Sequence, residues 1–301
     1  SSSYLELTPS AEGVDLSVDV PMTNITFEFN DSSMFTLTNP TWTPSAISTS
    51  ANGPMGVYAA DVDGDGDLDI VTASKTDSSS IGKVTWWENG GSGTWTANDI
   101  ATAVDARSVY AEDIDGDGDL DVVAALFAQD TIKLYLNSGA SNPTWTASNI
   151  DTNANGATDV HVADMDGDGD LDVVSSSLED DTIAWYKNDG QASPGWTSTN
   201  IDTNRQSARA VDVADMDGDG DLDIVTASSG DDTIAWYANG GQSTPSFTKT
   251  DISSTADAAR DVRVADMDGD GDLDIVSASY GDDTIAWYEN NGQAASWSSG
   301  V

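Results

Sequence analysis

Twenty-five aspartates fall in five groups, each with a carboxylate at every second residue over nine positions. The first group is Asp61, Asp63, Asp65, Asp67 and Asp69, and the second is Asp113, Asp115, Asp117, Asp119 and Asp121. The third is Asp164, Asp166, Asp168, Asp170 and Asp172, and the fourth Asp215, Asp217, Asp219, Asp221 and Asp223. The fifth is Asp266, Asp268, Asp270, Asp272 and Asp274. Like charges ~5 Å apart cost about 3 kcal/mol per pair at an effective dielectric of ~20, so a bare loop of this kind repels itself. A hard divalent cation removes the repulsion. Calcium takes six to eight oxygens at ~2.3–2.6 Å, and carboxylates at loop positions 1, 3 and 5 can supply them. Gly66 stands at position 6, where the turn is tightest. Position 7, Asp67, is expected to offer its backbone carbonyl, and position 9, Asp69, to close the site. Magnesium fits less well, because it keeps a near-ideal octahedron with several waters.

An EF-hand would need a glutamate at position 12 and flanking helices. Position 12 is Thr72, Ala124, Ser175, Thr226 and Ser277. The flanks are rich in Val, Ile and Thr and read as strands. The loops recur at spacings of 52, 51, 51 and 51 residues. A fixed period of this length is the mark of a repeat architecture. In one unit, Val160-His-Val-Ala leads into the loop, Leu171 to Ser175 follows it, and Thr182 to Tyr186 forms a third strand-like run. The stretch at Trp145 supplies an outer strand to the unit before. Four short strands per repeat, without helical periodicity, predict an all-β fold: a β-propeller of four-stranded blades. Aromatic outer strands occur six times, at Trp42, Trp95, Trp145, Trp196, Phe247 and Trp297, against five acidic loops. One outer strand is therefore surplus to a five-bladed ring, and a larger ring with a degenerate blade is the other reading.

The pattern Asp-x-Asp-Gly-Asp-Gly-Asp-Leu-Asp followed by Thr-Ile-Ala-Trp-Tyr-x-Asn-x-Gly resembles the FG-GAP/VCBS repeat family, which includes the calcium-binding blades of integrin α-subunits. The resemblance covers residues 42–301. It implies about five structural calcium ions and a role in adhesion, glycan binding or as an appendage to enzymes.

Formal charge is −43 over 301 residues, with only 10 Lys and Arg. Five bound calcium ions would leave about −33. Such a surface argues against nucleic acid and anionic membranes, which need basic patches. There is no cysteine, hence no disulfide framework. Calcium can staple the fold instead, which points to an extracellular or cell-surface setting. No apolar run reaches the length of a membrane span, so direct membrane insertion is not expected. The opening at Ser1 without methionine fits a processed N-terminus.

Residues 1–41 lack the acidic loop and form a short N-terminal β extension in this reading. Strands are expected at Tyr4–Leu7, Val14–Val20, Asn24–Phe29 and Met34–Leu37, and the segment resembles part of a bacterial Ig-like domain. Asn24 and Asn30 open glycosylation sequons. Paired aromatics recur at Trp86-Trp87, Trp185-Tyr186, Trp236-Tyr237 and Trp287-Tyr288, with Leu134-Tyr135 in the second unit. They serve either as packing between blades or as sugar-stacking platforms. His161 is the one histidine, and its repeat-equivalents are Tyr58, Tyr110, Asp212 and Arg263. The basic residues look scattered, and no nucleophile–base pair stands out. The expectation is therefore a chain without enzymatic activity, serving assembly or adhesion. The partner is either the chain itself, as a homopolymer built by β-strand exchange, or a cell-surface glycan or protein.

Overall fold

The computed structural model describes residues 25–28, 34–37, 44–51, 53–75, 81–102, 104–241, 245–292 and 297–300. It divides into two units, Ser1–Ala46 and Ile47–Val301. The first unit contains an antiparallel pair, β1 (Ile25–Glu28) and β2 (Met34–Leu37), with Phe27 opposite Phe35. The strands expected at Tyr4–Leu7 and Val14–Val20, the two sequons and Trp42 lie outside the described residues.

The second unit holds five antiparallel sheets of four strands, each strand pairing with the next in sequence. Blade 1 is β3 (Pro54–Ala60), β4 (Asp69–Ser74), β5 (Lys83–Asn89) and β6 (Trp95–Thr102). Blade 2 is β7 (Ala106–Glu112), β8 (Asp121–Leu126), β9 (Thr131–Asn137) and β10 (Trp145–Asp151). Blade 3 is β11 (Ala157–Ala163), β12 (Asp172–Ser177), β13 (Thr182–Asn188) and β14 (Trp196–Asp202). Blade 4 is β15 (Ala208–Ala214), β16 (Asp223–Ser228), β17 (Thr233–Asn239) and β18 (Phe247–Ser253). Blade 5 is β19 (Ala259–Ala265), β20 (Asp274–Ser279), β21 (Thr284–Asn290) and β22 (Trp297–Gly300). This is the predicted β-propeller, with the acidic loop joining the first and second strands of every blade. Trp297 starts the outer strand of blade 5, paired with Asn290, so it is not surplus.

The core lies between blades. Ile183 of blade 3 packs with Ala208 and Val211 of blade 4. Ile234 of blade 4 packs in the same way with Ala259 and Val262 of blade 5. Blades 2 to 5 thus each present a β-branched valine from the first strand to the third strand of the blade before. Burying a pair of such side chains contributes about 1.5–3 kcal/mol for each member. The paired aromatics belong to this packing: Trp86, Trp185, Trp236, Tyr135, Tyr186 and Tyr237 are all buried. Adjacent residues in a strand face opposite sheets, so both sides of the third strand are packed. The sugar-stacking reading falls on that burial for these six side chains, while Trp87 and Trp287 are half-buried.

The contact is made in four places, between successive first strands β3–β7, β7–β11, β11–β15 and β15–β19. At the two ends of the array it is left half-made. Val57 is 68% exposed, while its equivalents Val109, Val160, Val211 and Val262 are at most 4% exposed. At the other end Ile285 is 77% exposed, while Ile132, Ile183 and Ile234 are fully buried. Met267 shows the same contrast, 52% against 2–3% for Met165 and Met216.

Candidate metal centres

Each acidic loop leaves the end of a first strand and must return to start the second strand of the same sheet. Two glycines make the reversal; Gly66, for example, has φ +96°, a region that L side chains rarely adopt. The reversal brings three carboxylates together in every blade. They are Asp61, Asp63 and Asp69; Asp113, Asp115 and Asp121; Asp164, Asp166 and Asp172; Asp215, Asp217 and Asp223; and Asp266, Asp268 and Asp274. In each group one oxygen from every residue lies within 4.8 Å of the others.

The converging positions are thus 1, 3 and 9; the sequence reading has 1, 3 and 5 with position 9 closing the site, and position 5 is the one outside the cluster. Position 9 is buried in all five loops and is fixed by hydrogen bonds. In blade 3, Oδ2 of Asp172 accepts from the backbone N–H of Met165 at 3.2 Å and from Nε1 of Trp185 at 2.9 Å. Its Oδ1 accepts from the N–H of Asn188 at 2.8 Å. The position-9 aspartate is therefore the anchor of the loop. Burial pushes the carboxyl of Asp121 up to about 7 and those of Asp172 and Asp223 to about 6. Burial and the neighbouring carboxylates Asp65, Asp117 and Asp219 also raise Asp63, Asp115 and Asp217.

Position 5 turns inward on its own loop. Oδ1 of Asp65 accepts from the N–H of Asp67 at 2.9 Å, and Asp117, Asp168, Asp219 and Asp270 do the same for the residue two further on. Position 7 leans outward against the turn after the third strand. A Cβ on Gly139 would collide with the carboxylate of Asp119, and Asp170, Asp221 and Asp272 stand in the same way against Gly190, Gly241 and Gly292.

These sites fit a hard cation. The donors are carboxylate oxygens alone, and Oδ1 of Asp61 and of Asp166 are buried without a hydrogen-bond partner. A buried, unpartnered carboxylate oxygen is costly unless a positive charge meets it. In blade 3 Nζ of Lys187 pairs with the other oxygen of Asp166, Oδ2, and lies 2.8 Å from Oδ2 of Asp168, which leaves Oδ1 of Asp166 unpartnered. The equivalent residues in the other blades are Glu88, Leu136, Ala238 and Glu289. The five loops are therefore alike in ligands and unlike in their immediate charge.

Each of the first four loops is tied to the following blade. The side-chain amide of Asn137 donates to the carbonyl of Val62 in the loop before and to Leu120 in its own. Asn188 repeats this with Ile114 and Leu171, Asn239 with Met165 and Leu222, and Asn290 with Met216 and Leu273.

At the other end of the first strands lies a second feature, which sequence reasoning missed. The five first strands line one cavity of about 580 Å³. Four of the five arginines in the chain line it: Arg107, Arg209, Arg260 and Arg263. The basic residues are thus not scattered. The signal was present in the register, since Arg107, Arg209 and Arg260 share one repeat position with Met55 and Thr158. His161 also lines the cavity, with Nδ1 3.2 Å from Oδ1 of Asp212 and its ring centroid 5.0 Å from that of Tyr110.

Among the described residues no helix is long and apolar enough to cross a membrane. The model of the FG-GAP-like repeat matches residues 20–72, 73–124, 113–175, 164–226, 215–277 and 266–300. The match starts upstream of the residue-42 boundary expected from the motifs. No curated protein sequence matches the chain. Among solved structures, a protein from Lactobacillus plantarum is similar over 90% of this chain and 74% of its own, with a TM-score of 0.55 and 15% identity. A biofilm matrix protein of V. cholerae is similar over 82% of this chain and 40% of its own, with a TM-score of 0.50 and 20% identity. The periplasmic gluconolactonase of Pseudomonas aeruginosa is similar over 81% and 68%, with a TM-score of 0.55 and 13% identity. That last likeness overturns the expectation of a chain without enzymatic activity: an enzyme is built on this fold, so a propeller with acidic loops is no ground for excluding catalysis. The period, the five acidic loops, the four-stranded blades and the matches along nearly the whole sequence agree, and the chain belongs to the FG-GAP-like repeat family.

Proposed function

We propose that this chain is a calcium-stapled propeller of the extracellular matrix or cell surface that associates with further copies of itself. One observation carries the reading. The two ends of the blade array are complementary halves of a contact that the molecule already makes four times. Among the described residues no third strand packs on Val57 at one end, and no first strand covers Ile285 at the other. A second copy, presenting blade 1 to blade 5, reproduces the internal blade-to-blade contact. Such a head-to-tail contact closes into a ring or runs on as a filament. This replaces strand exchange through the Trp297 strand, which is taken up within blade 5.

The likeness to a biofilm matrix protein supports a matrix setting, and the likeness to a periplasmic protein supports one outside the cytoplasm. Calcium suits the carboxylate-only donor sets better than softer metals, which favour nitrogen and sulfur. Asp61, Asp63 and Asp69, with their counterparts, would hold it. The position-5 carboxylates Asp65, Asp117, Asp219 and Asp270 would offer Oδ2 to the same ion, whereas Oδ2 of Asp168 is held by Lys187.

Sedimentation velocity in millimolar calcium tests the reading. Association that grows with concentration, and is lost in Ile285→Asp with an unchanged melting temperature, is the expected result. A wild-type chain that stays monomeric at every concentration overturns it.

A further inference from the structure

The arginine end of the cavity has no part in metal binding or in blade association. The acidic loops follow the C-terminal ends of the first strands. Arg107, Arg209 and Arg260 stand at the N-terminal ends, about five residues or ~17 Å away along the strand. In a chain of net charge −43 with only 10 basic residues, the placement of four of these around one cavity needs a cause.

Pairing with carboxylates accounts for part of it. Arg263 lies 3.1 Å from Asp261, and Arg107 lies 3.4 Å from Asp105 with its guanidinium over the ring of Phe127. The other two differ. Arg209 donates from Nε to the hydroxyl of Ser229 at 3.0 Å, and Arg260 sits over the ring of Tyr280 at 4.9 Å. Among the described residues neither has a carboxylate within 4.0 Å. Asp159, which lines the same cavity, is turned into the blade contact, where its Oδ2 accepts from the N–H of Val211. Asp212 is engaged by His161 and by the N–H of Val264. The guanidinium of Arg209 is held below its ordinary value by burial and by the nearby charges of Arg260 and Arg107. Three guanidinium groups from three blades are therefore gathered, and two of them lack a counter-charge.

We propose that this end of the cavity binds a small organic polyanion, a sugar bearing phosphate or carboxylate groups, through Arg107, Arg209 and Arg260. A guanidinium offers a planar fork that pairs with phosphate or carboxylate through two hydrogen bonds. Deeper in the same cavity, Tyr58 and Tyr110, with ring centroids 4.5 Å apart and planes tilted by 37°, supply aromatic surface for the body of a sugar. A volume of about 580 Å³ is of small-molecule size rather than that of a polymer segment. The strongly negative surface elsewhere repels anions at long range, so recognition here is local and depends on direct arginine contact.

Isothermal titration calorimetry on the calcium-loaded full chain, with calcium in excess, tests this. The probes are glucose 6-phosphate and glucuronate, with glucose as the uncharged control. Saturable binding of at least one charged probe is expected, at least tenfold weaker in Arg260→Gln and in Arg209→Gln, with glucose silent. Which probe binds distinguishes phosphate from carboxylate recognition. Arg260 is exposed, so its replacement leaves the fold intact, and an unchanged melting temperature verifies this. Absence of binding by both charged probes, equal binding of glucose, or full affinity retained in both variants overturns the proposal.

Discussion

In blade 3 the run Thr182-Ile-Ala-Trp-Tyr186 is buried throughout, whereas in blade 5 the same five residues, Thr284 to Tyr288, leave Ile285 77% exposed. The strands are assigned alike and pair in the same register with their own second strands. The difference comes entirely from what stands beside the sheet. Ile183 has Ala208 and Val211 of the next blade, and among the described residues Ile285 has no such neighbour. A four-stranded blade is therefore not a folding unit that carries its own core. It is half of two cores, and its burial is set by its neighbours, as in other repeat proteins.

The largest expected effect strikes all blades together. Loop sites with Kd of ~0.1–1 mM at ~10 mM calcium each contribute roughly 1.4–2.7 kcal/mol. Five sites then contribute about 7–14 kcal/mol, comparable to the ~5–15 kcal/mol that holds a typical domain together. Chelation with EGTA should lower the melting temperature by tens of degrees, and a shift of only a few degrees in a thermal scan would show that blade packing alone sustains the array. Next in size is the direct contrast of the two isoleucines. Ile183→Ala should cost about 2–5 kcal/mol in denaturant unfolding, while Ile285→Ala in the dilute monomer should cost under about 0.5 kcal/mol. Equal costs would mean that the exposed face is covered in solution.

A smaller contrast separates Asn188 from Asn89. The side-chain amide of Asn188 ties two loops, and among the described residues that of Asn89, in blade 1, donates only to Leu68 of its own loop. Asn188→Ala should cost about 1–3 kcal/mol, because it leaves buried carbonyls unpaired, and Asn89→Ala distinctly less. The smallest effect concerns Lys187, whose ammonium competes with a cation at the third loop. Lys187→Ala should raise calcium affinity there a few fold, with little change at the other four loops, as read by calcium titration followed by NMR.

Much of this was legible before any coordinates. The spacing of the acidic loops and the alternation of short apolar runs specify four-stranded blades, because a carboxylate-rich turn and a β-branched strand are local properties. The order of loop residues brings carboxylates together within one loop for the same reason. It could not tell that Asp69 and its equivalents would anchor the site, since that depends on Trp86 and Asn89, 17 and 20 residues away in chain but beside it in the sheet. The arginine cavity was hidden for a stronger version of this reason. Arg107, Arg209 and Arg260 meet only because first strands from different blades surround one space. The exposed faces of Val57 and Ile285 are the extreme case, because a strand's sequence does not record whether another blade follows.

The asparagine clasps join the five acidic loops into one connected series, so cation uptake at one would be linked to uptake at the next. Asn137, Asn188, Asn239 and Asn290 each hold a carbonyl in two successive loops. A loop that tightens around its cation steadies the amide that its neighbour also uses, so the second ion meets a site whose ordering cost has already been met in part. Uptake should then be steeper than for independent sites, with a Hill coefficient above one, and should propagate along the array as in a one-dimensional lattice.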